Sequence, residues 1–579
     1  MKKKYLLGLV ISLSAIVFSG CYDLDRFPQD KLSSGTFWKT QEQAIEGVNA
    51  CYMAMRQVQV FYQLFAMDCV SDMGFGYDAP GYDVFSRGTA TSSTGRILQR
   101  WQQTYQGVFL TNDVIKNVTP MNIDETVKNQ ILGQAKFLRA MYYFFLMKHF
   151  GGVPLYDETT DYNKNYMSMD KPRNTEEETR AFILKDLTDA IAVLPAKWPQ
   201  NDHGRVTKGA AYALRGKVYL FNCQYDLAAK DFEEVVLDPS KQGYGYALYS
   251  NYADLFRQKG HKSSEMIFSI STFYKQGFDM GMPYAHYMGC NACVGTSWNN
   301  VMPGVRLVDS YECKDGRPFN WDDFIPGYNE SIEVREQTLK ATLSEDKKSV
   351  ASYPKYYKEL LAMYEQRDPR MKETIILPYT HYLGYVGGKD KLCEFVYASG
   401  VSTINGFMVI NRYKNNYLYL YRKFVPEGGT LDGVPIARGQ VPFDFPLIRY
   451  ADVLLMLAEC YNELGKTDEA VKYINMVRQR PSTNMPQINS GPEWLEARTK
   501  EAVFKRIMHE RAVEFPAEGL RYYDLKRWKL IKDLMNGDVQ DALNNHIYYT
   551  KFEDKDYLWP IPKSEIEKNP KLTQNPGWQ

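Results

Sequence analysis

The chain has 579 residues, with 70 Lys+Arg against 69 Asp+Glu and a formal charge of +1. Such a length supports a large core and exceeds what one hydrophobic nucleus usually fills, so subdivision is expected. The near-zero balance excludes the basic footprint that nucleic acid or an anionic membrane surface requires. The excess lies in the aromatic residues, 44 Tyr, 29 Phe and 9 Trp. That suits a protein that stacks on flat ligands, although most of these rings must serve the core.

Residues 1–20 read as an export signal. Lys2, Lys3 and Lys4 form a basic start, Tyr5–Phe18 an apolar run, and Ser19-Gly20 a small-residue cleavage site. The run is too short for an ordinary membrane-spanning helix. Cys21 follows Gly20 directly, and this junction resembles a bacterial lipoprotein signal, in which the cysteine is lipidated and becomes the mature N-terminus. Phe18 stands where that pattern usually has Leu, and Asp23 and Asp25 lie just beyond. Cleavage removes three lysines, leaving 559 residues with 67 basic and 69 acidic side chains, a formal charge of −2.

Residues 33–58 carry Ala44, Ile45, Val48, Cys51, Tyr52 and Met55 at helical spacing. From 70 to 95 the periodicity is lost, and glycines punctuate a loop bearing Phe75, Tyr77, Tyr82 and Phe85. Two long helices are predicted at about 96–118 and 124–150; the second is apolar nearly all round and stops at Gly151-Gly152. Trp101 and Tyr105, at helical spacing, are assigned to the core. A helix at 176–194 is placed to pair with the second.

Lys208–Pro239 and Phe443–Pro481 read as two copies of one helical hairpin. Gly216, Tyr219, Ala228, Phe232 and Pro239 each precede Ala458, Tyr461, Ala470, Ile474 and Pro481 by 242 residues. The order small, Tyr, Ala, large apolar, Pro matches a tetratricopeptide repeat, whose small residues let two helices approach closely. In the later copy, Gly465 supplies a left-handed stop and Thr467 a cap for the second helix. Fewer than three adjacent repeats are not stable alone, so these hairpins must pack on other helices. Between them, residues 240–442 form a loop-rich excursion with strand-like runs at Glu265–Ile270 and Phe407–Arg412 and a helix at 331–348. Long irregular segments on a rigid scaffold are where binding usually lives.

Of the eight cysteines after Cys21, Cys223 and Cys460 fall inside the hairpins, where lone buried thiols are common. Cys290-Asn-Ala-Cys293 lacks a second such pair or a nearby His pair to complete a zinc set. A local disulfide, a redox pair and two unpaired thiols are all open readings, with a structural role preferred.

Motifs spread over the whole length resemble the SusD-like (RagB/SusD) family. They are Phe37-Trp38-Lys39-Thr40 and Asn49-Ala50-Cys51-Tyr52; Ala135–Ala140 with Phe150-Gly151-Gly152-Val153-Pro154-Leu155; Glu510-Arg511, Glu514-Phe515, Glu518-Gly519, Arg521, Asp524-Leu525 and Arg527-Trp528; then Pro560-Ile561-Pro562 and Gln574-Asn575-Pro576-Gly577. The resemblance implies a mostly α fold in which four tetratricopeptide-like helix pairs form the scaffold. It also implies a surface-exposed, lipid-anchored outer-membrane protein that captures oligosaccharide and sits as a lid on a TonB-dependent (SusC-like) transporter. Some members of the family handle peptides instead. On this reading, residues 21–579 form one SusD-like domain, with helical scaffold at 33–239 and 443–535 and the excursion at 240–442.

Catalytic constellations do not emerge. Glu510 and Glu514 share a helix face amid Arg506, Arg511 and Arg521, which suits ion pairs better than the two sides of a glycosidase cleft. His509-Glu510 begins an H-E-x-x-H pattern, but position 513 is Val. No Walker loop, nucleophile elbow or dinucleotide fingerprint is present, so neither an enzyme nor a cofactor is expected, and a glycoside hydrolase is the distant alternative. The useful chemistry is non-covalent: a sugar's C–H face packs on Trp or Tyr, while its hydroxyls need amides, carboxylates and Arg. Segments 72–87 and 274–325 hold such mixtures and are expected to converge on one solvent-facing platform. Trp298, Tyr77 and Tyr284 are the stacking candidates and Asn299, Asp78 and Arg87 the polar ones, with Tyr82, Tyr287 and Trp321 nearby in sequence.

Overall fold

The computed structural model describes residues 37–160, 170–236, 244–273, 280–295, 297–346, 349–398, 402–404, 407–409 and 416–578. The export signal, Cys21 and the acidic pair after it lie outside these residues, as does the end of the strand expected at Phe407–Arg412.

The helices that build the scaffold are α1 (Gln41–Ala54), α2 (Gly95–Val118), α3 (Glu125–Phe150), α4 (Glu176–Val193), α5 (Lys208–Phe221), α6 (Tyr225–Val236), α7 (Tyr450–Glu463), α8 (Thr467–Arg478), α9 (Lys500–Glu514) and α10 (Arg521–Arg527). Local chemistry sets their ends. Thr40 with Gln43 and Thr175 with Glu178 form capping boxes on α1 and α4, and Asp124 caps α3. Gly151 ends α3 and Gly465 ends α7, both at positive φ. The cap expected from Thr467 is not made. That residue is the first of α8, and Lys466 precedes it without a side-chain cap bond. The helix expected at 331–348 is shorter, Ile332–Leu339, because Lys340 already turns to extended backbone.

Neighbouring helices pack in sequence: α2 on α3, α3 on α4, α4 on α5, α5 on α6, and α7 on α8. The two repeat-like hairpins meet through α6 and α7, where the Tyr461 hydroxyl donates to Glu233 at 2.6 Å. The close approach read from Gly216 is present: a Cβ there would stand 2.7 Å from the Phe232 ring. Between α3 and α4, buried Arg139 holds Asp186 through two bonds of 2.7 and 2.8 Å. Cys460 is buried as expected, but Cys223 is exposed, because it occupies the left-handed turn between α5 and α6 rather than a helix face.

The strands are short and include β1 (Gly74–Gly76), β2 (Met266–Ile270), β3 (Val301–Pro303), β4 (His381–Val386), β5 (Lys389–Val396), β6 (Ser402–Ile404), β7 (Phe407–Val409), β8 (Phe445–Arg449), β9 (Gly537–Gln540) and β10 (His546–Thr550). The largest sheet has the order β4-β5-β7-β6, with β5 and β7 parallel. β2 pairs antiparallel with β8, the strand that feeds α7, and so fastens the excursion to the helical scaffold. This is the mostly α, loop-rich architecture with short strands expected from the sequence.

The C-terminal signature holds the loop before β1 in place. Ala517 N–H donates to Asp68 at 2.6 Å, and Arg521 takes both oxygens of Asp72 at 2.8 and 2.9 Å. Gly519, at φ +69°, lets its backbone close on Leu64, whose carbonyl oxygen would lie 2.1 Å from a Cβ.

Candidate functional site

The segments expected to converge do so through β1 and β3. They pair antiparallel with Gly74 opposite Pro303, Phe75 opposite Met302 and Gly76 opposite Val301. Glycine makes the approach possible: a Cβ on Gly81 would lie 2.4 Å from the Asn300 carbonyl oxygen, and one on Gly76 2.4 Å from that of Gly81. Beyond the strands, the Tyr77 N–H donates to the Asn300 carbonyl at 3.3 Å and the Tyr77 hydroxyl to the Trp298 carbonyl at 2.5 Å. Asp78 and Asn299 sit in the left-handed region, at φ 58° and 52°, where Asp and Asn are among the few side chains tolerated.

The short helix Tyr284–Tyr287 decides which rings face out. Tyr284 points inward, is fully buried and stacks on Phe424 at 4.8 Å. His286 and Tyr287 lie half-exposed, with ring planes stacked at 4.5 Å. Trp298 is 46 % exposed. Its N–H backbone donates to the His286 carbonyl at 2.8 Å, and its ring stands edge-on to His286 at 4.2 Å. The Arg438 guanidinium lies 5.5 Å from the Trp298 ring centre and donates to the Gly295 carbonyl at 3.1 Å. Burial, then the charge of Arg438, lowers the pKa of His286, so its ring is neutral near pH 7. The result is an exposed indole framed by Tyr287, His286 and Arg438; the exposed Asp78 follows Tyr77, whose hydroxyl meets the Trp298 carbonyl.

Among the described residues, three buried polar atoms here, His286 Nε2, Asn299 Oδ1 and Asn300 Oδ1, have no hydrogen-bond partner.

Several expected site residues are corrected. Tyr284 is core and offers no face to a ligand. Tyr82 is buried, with its hydroxyl between Gln59 (2.9 Å) and Arg100 (2.7 Å). Trp321 is 6 % exposed, stacks on Tyr328 at 4.0 Å and donates to Asp309 at 3.0 Å. Tyr77 and Asn299 are buried at 7 % and 3 %, so they position the turn rather than present a surface. Arg87 covers the Tyr548 ring at 4.6 Å. Arg438 was not anticipated, because nothing in the local sequence links residue 438 to the 286–300 turn.

Neither the C-x-x-C nor the carboxylate pair adds chemistry here. Cys290 and Cys293 are both buried in the core, and no disulfide joins them. Glu510 and Glu514 are fully buried and form ion pairs, as expected, but with Arg370, Arg449, Arg478 and Arg480 rather than with Arg506, Arg511 and Arg521, which pair elsewhere. Trp101 is core as expected, whereas Tyr105 is half-buried and lines a groove of about 1130 Å³ with Phe109 and Tyr156.

Comparison with known proteins gives a consistent result. Residues 264–578 match the model of the SusD family, and residues 37–220 match one described as starch-binding, associating with outer membrane. The chain is 24% identical to SusD-like protein P2 of Formosa agariphila over 100% of both chains. It is 23% identical to the starch-binding protein SusD of Bacteroides thetaiotaomicron, over 79% of this chain and 74% of that one. Among solved structures, a SusD-like protein of Bacteroides fragilis superposes with a TM-score of 0.73 at 23% identity, covering 96% of this chain and 100% of that one. A SusD-like carbohydrate-binding protein of the same species gives 0.72 at 22% identity, covering 93% and 100%.

Proposed function

The chain belongs to the SusD family, and from that premise we propose that it captures oligosaccharide at the cell surface, with Trp298 as the stacking ring, for delivery to a TonB-dependent outer-membrane transporter. The observation that carries this reading is the exposed indole of Trp298, set on two segments that the scaffold forces together. A sugar ring packs its C–H face on such an indole while its hydroxyls reach charged and amide groups at the edge. Asp78, Tyr287 and Arg438 are the groups placed to meet them. Binding without covalent chemistry fits the arrangement, since the paired carboxylates of α9 are sealed in the core. The test is a glycan array, with a peptide set alongside, probed with the mature protein. Selective binding to one oligosaccharide class is expected; binding to peptides alone would replace this reading with peptide capture.

The lipid anchor at Cys21 is part of the same proposal and rests on the Gly20-Cys21 junction. Among the described residues no helix is long and apolar enough to cross a membrane. Cys21→Ala is expected to move the protein from the outer-membrane fraction to the soluble one. From mild-detergent extracts, the wild type is expected to bring down a β-barrel transporter. Membrane retention of the variant would contradict the anchor, and repeated purification without a barrel would contradict the partner.

A further inference from the structure

A second concavity lies at the other end of the β1–β3 pair. It is a cleft of about 350 Å³, within the size range of small-ligand sites. One wall is the strand pair itself, at Phe75 and Pro303, and the opposite wall is the β9–β10 hairpin. Arg306 and Asp309, from the short helix Val305–Ser310, and Tyr419 also line it. We propose that this cleft is a second carbohydrate subsite that takes an uncharged sugar unit of the same chain that stacks on Trp298. The proposal rests on the glycan-capture reading and adds to it a second contact and a charge class.

The chemistry of the walls suits a polyhydroxylated ring. Arg306 is exposed and donates one bond to the Leu534 carbonyl at 3.0 Å, leaving further N–H groups for acceptors. Asp309 commits one oxygen to Trp321 at 3.0 Å. Gln540 stands exposed on β9.

The charge balance sets the ligand class. Asp309, Asp538 and Asp541 line the cleft with Arg306, while Asp72 is already neutralised by Arg521. Asp541 is buried, with its oxygens taken by the N–H groups of Tyr417, Leu543 and Asn545, and Asp538 meets His546 and the Gln540 amide. A sulfate or uronate substituent would be set against the negative charge of this wall, whereas a sugar hydroxyl can donate to the Asp309 oxygen that Trp321 does not take.

The spacing permits one chain to reach both places. Gly304 lies six positions beyond Trp298, which at roughly 3.3 Å per extended residue is at most ~20 Å. Two linked contacts raise the affinity for any ligand long enough to bridge them. Affinity should therefore increase with oligosaccharide length, and the cleft should be responsible for that increase.

The test uses the mature protein and an array of neutral, sulfated and uronate-bearing oligosaccharides of two to ten units, with basic peptides as a further arm. Gln540→Trp fills the cleft from an exposed position, and Arg306→Ala removes its exposed cation; both sites are free of core packing. The expected result is preference for neutral chains, with affinity rising with length in the wild type. Gln540→Trp should lose about fivefold or more on the longest chains and almost nothing on the shortest. Unchanged length dependence in both variants would overturn the subsite while leaving capture at Trp298 intact. Preference for anionic oligosaccharides would overturn the charge class. Binding of basic peptides in place of any glycan would overturn both this proposal and the reading it rests on, and so would binding to nothing on the array.

Discussion

Replacing Glu514 by Ala is expected to cost about 3–5 kcal/mol of folding stability, the range for removing one partner from a buried ion pair. Glu514 is fully buried on α9 and accepts from Arg480 at 2.7 Å, Arg449 at 2.9 Å and Arg370 at 2.9 Å. The network extends well beyond it. Arg449, at the end of β8, also meets Glu518 at 2.8 Å and Glu265; Arg480, beyond α8, meets Glu265 at 2.5 Å. Arg370 holds Asp368 at 2.8 Å and Glu510 at 2.6 Å, and Arg478 bridges Glu510 to Glu312. Scaffold and excursion are thus joined by charges, and the alanine variant leaves three guanidiniums short of a partner in a dry interior. Against a typical total of 5–15 kcal/mol, such a loss is large. Urea unfolding of wild type and variant measures it, and a difference below about 1 kcal/mol would mean that the network relaxes around the gap.

The same residue gives a pH dependence of known sign. Burial alone would raise the Glu514 pKa, but the charges of Arg480, Arg449 and Arg370 outweigh it and hold the carboxyl well below the usual range. The unfolded chain then binds a proton at higher pH than the fold does. This contribution to stability is complete above the unfolded value, near 4.3, and is lost as pH falls toward the depressed folded value. Asp452, held low against its burial by Lys217 and Arg511, acts in the same direction.

The scaffold was legible in the sequence because its signals are local and periodic. The 242-residue offset, the stop at Gly465 and the buried stripes of α7 and α8 all follow from helical spacing and capping. The convergence of segments 72–87 and 274–325 was legible for a different reason: both are rich in glycine and aromatics, and neither is claimed by the repeat faces. Which rings face solvent was not legible. One turn of helix separates buried Tyr284 from half-exposed Tyr287, and composition does not encode that rotation. Contacts across the chain were equally hidden, as with Asp72 and Arg521, or Arg438 and Trp298. The β9–β10 hairpin was missed because its strands are short and its pairing partners are not announced by a turn motif.

Trp298→Ala is expected to weaken glycan binding by about 1–3 kcal/mol, the range for one ring-on-aromatic contact. That corresponds to roughly five- to 150-fold in affinity. The indole is half-exposed and bonded through its backbone rather than its ring nitrogen, so its removal leaves the turn's main-chain bonds to His286 and Tyr77 in place. Stability should therefore change little. Tyr284→Ala is expected to behave in the opposite way, losing stability through a cavity beside Phe424 and Phe65. The decisive measurement is calorimetric titration of the wild type and Trp298→Ala with the oligosaccharide that binds best on the array. A folded variant with affinity reduced at least fivefold is the predicted result; a folded variant with unchanged affinity would place the binding site elsewhere.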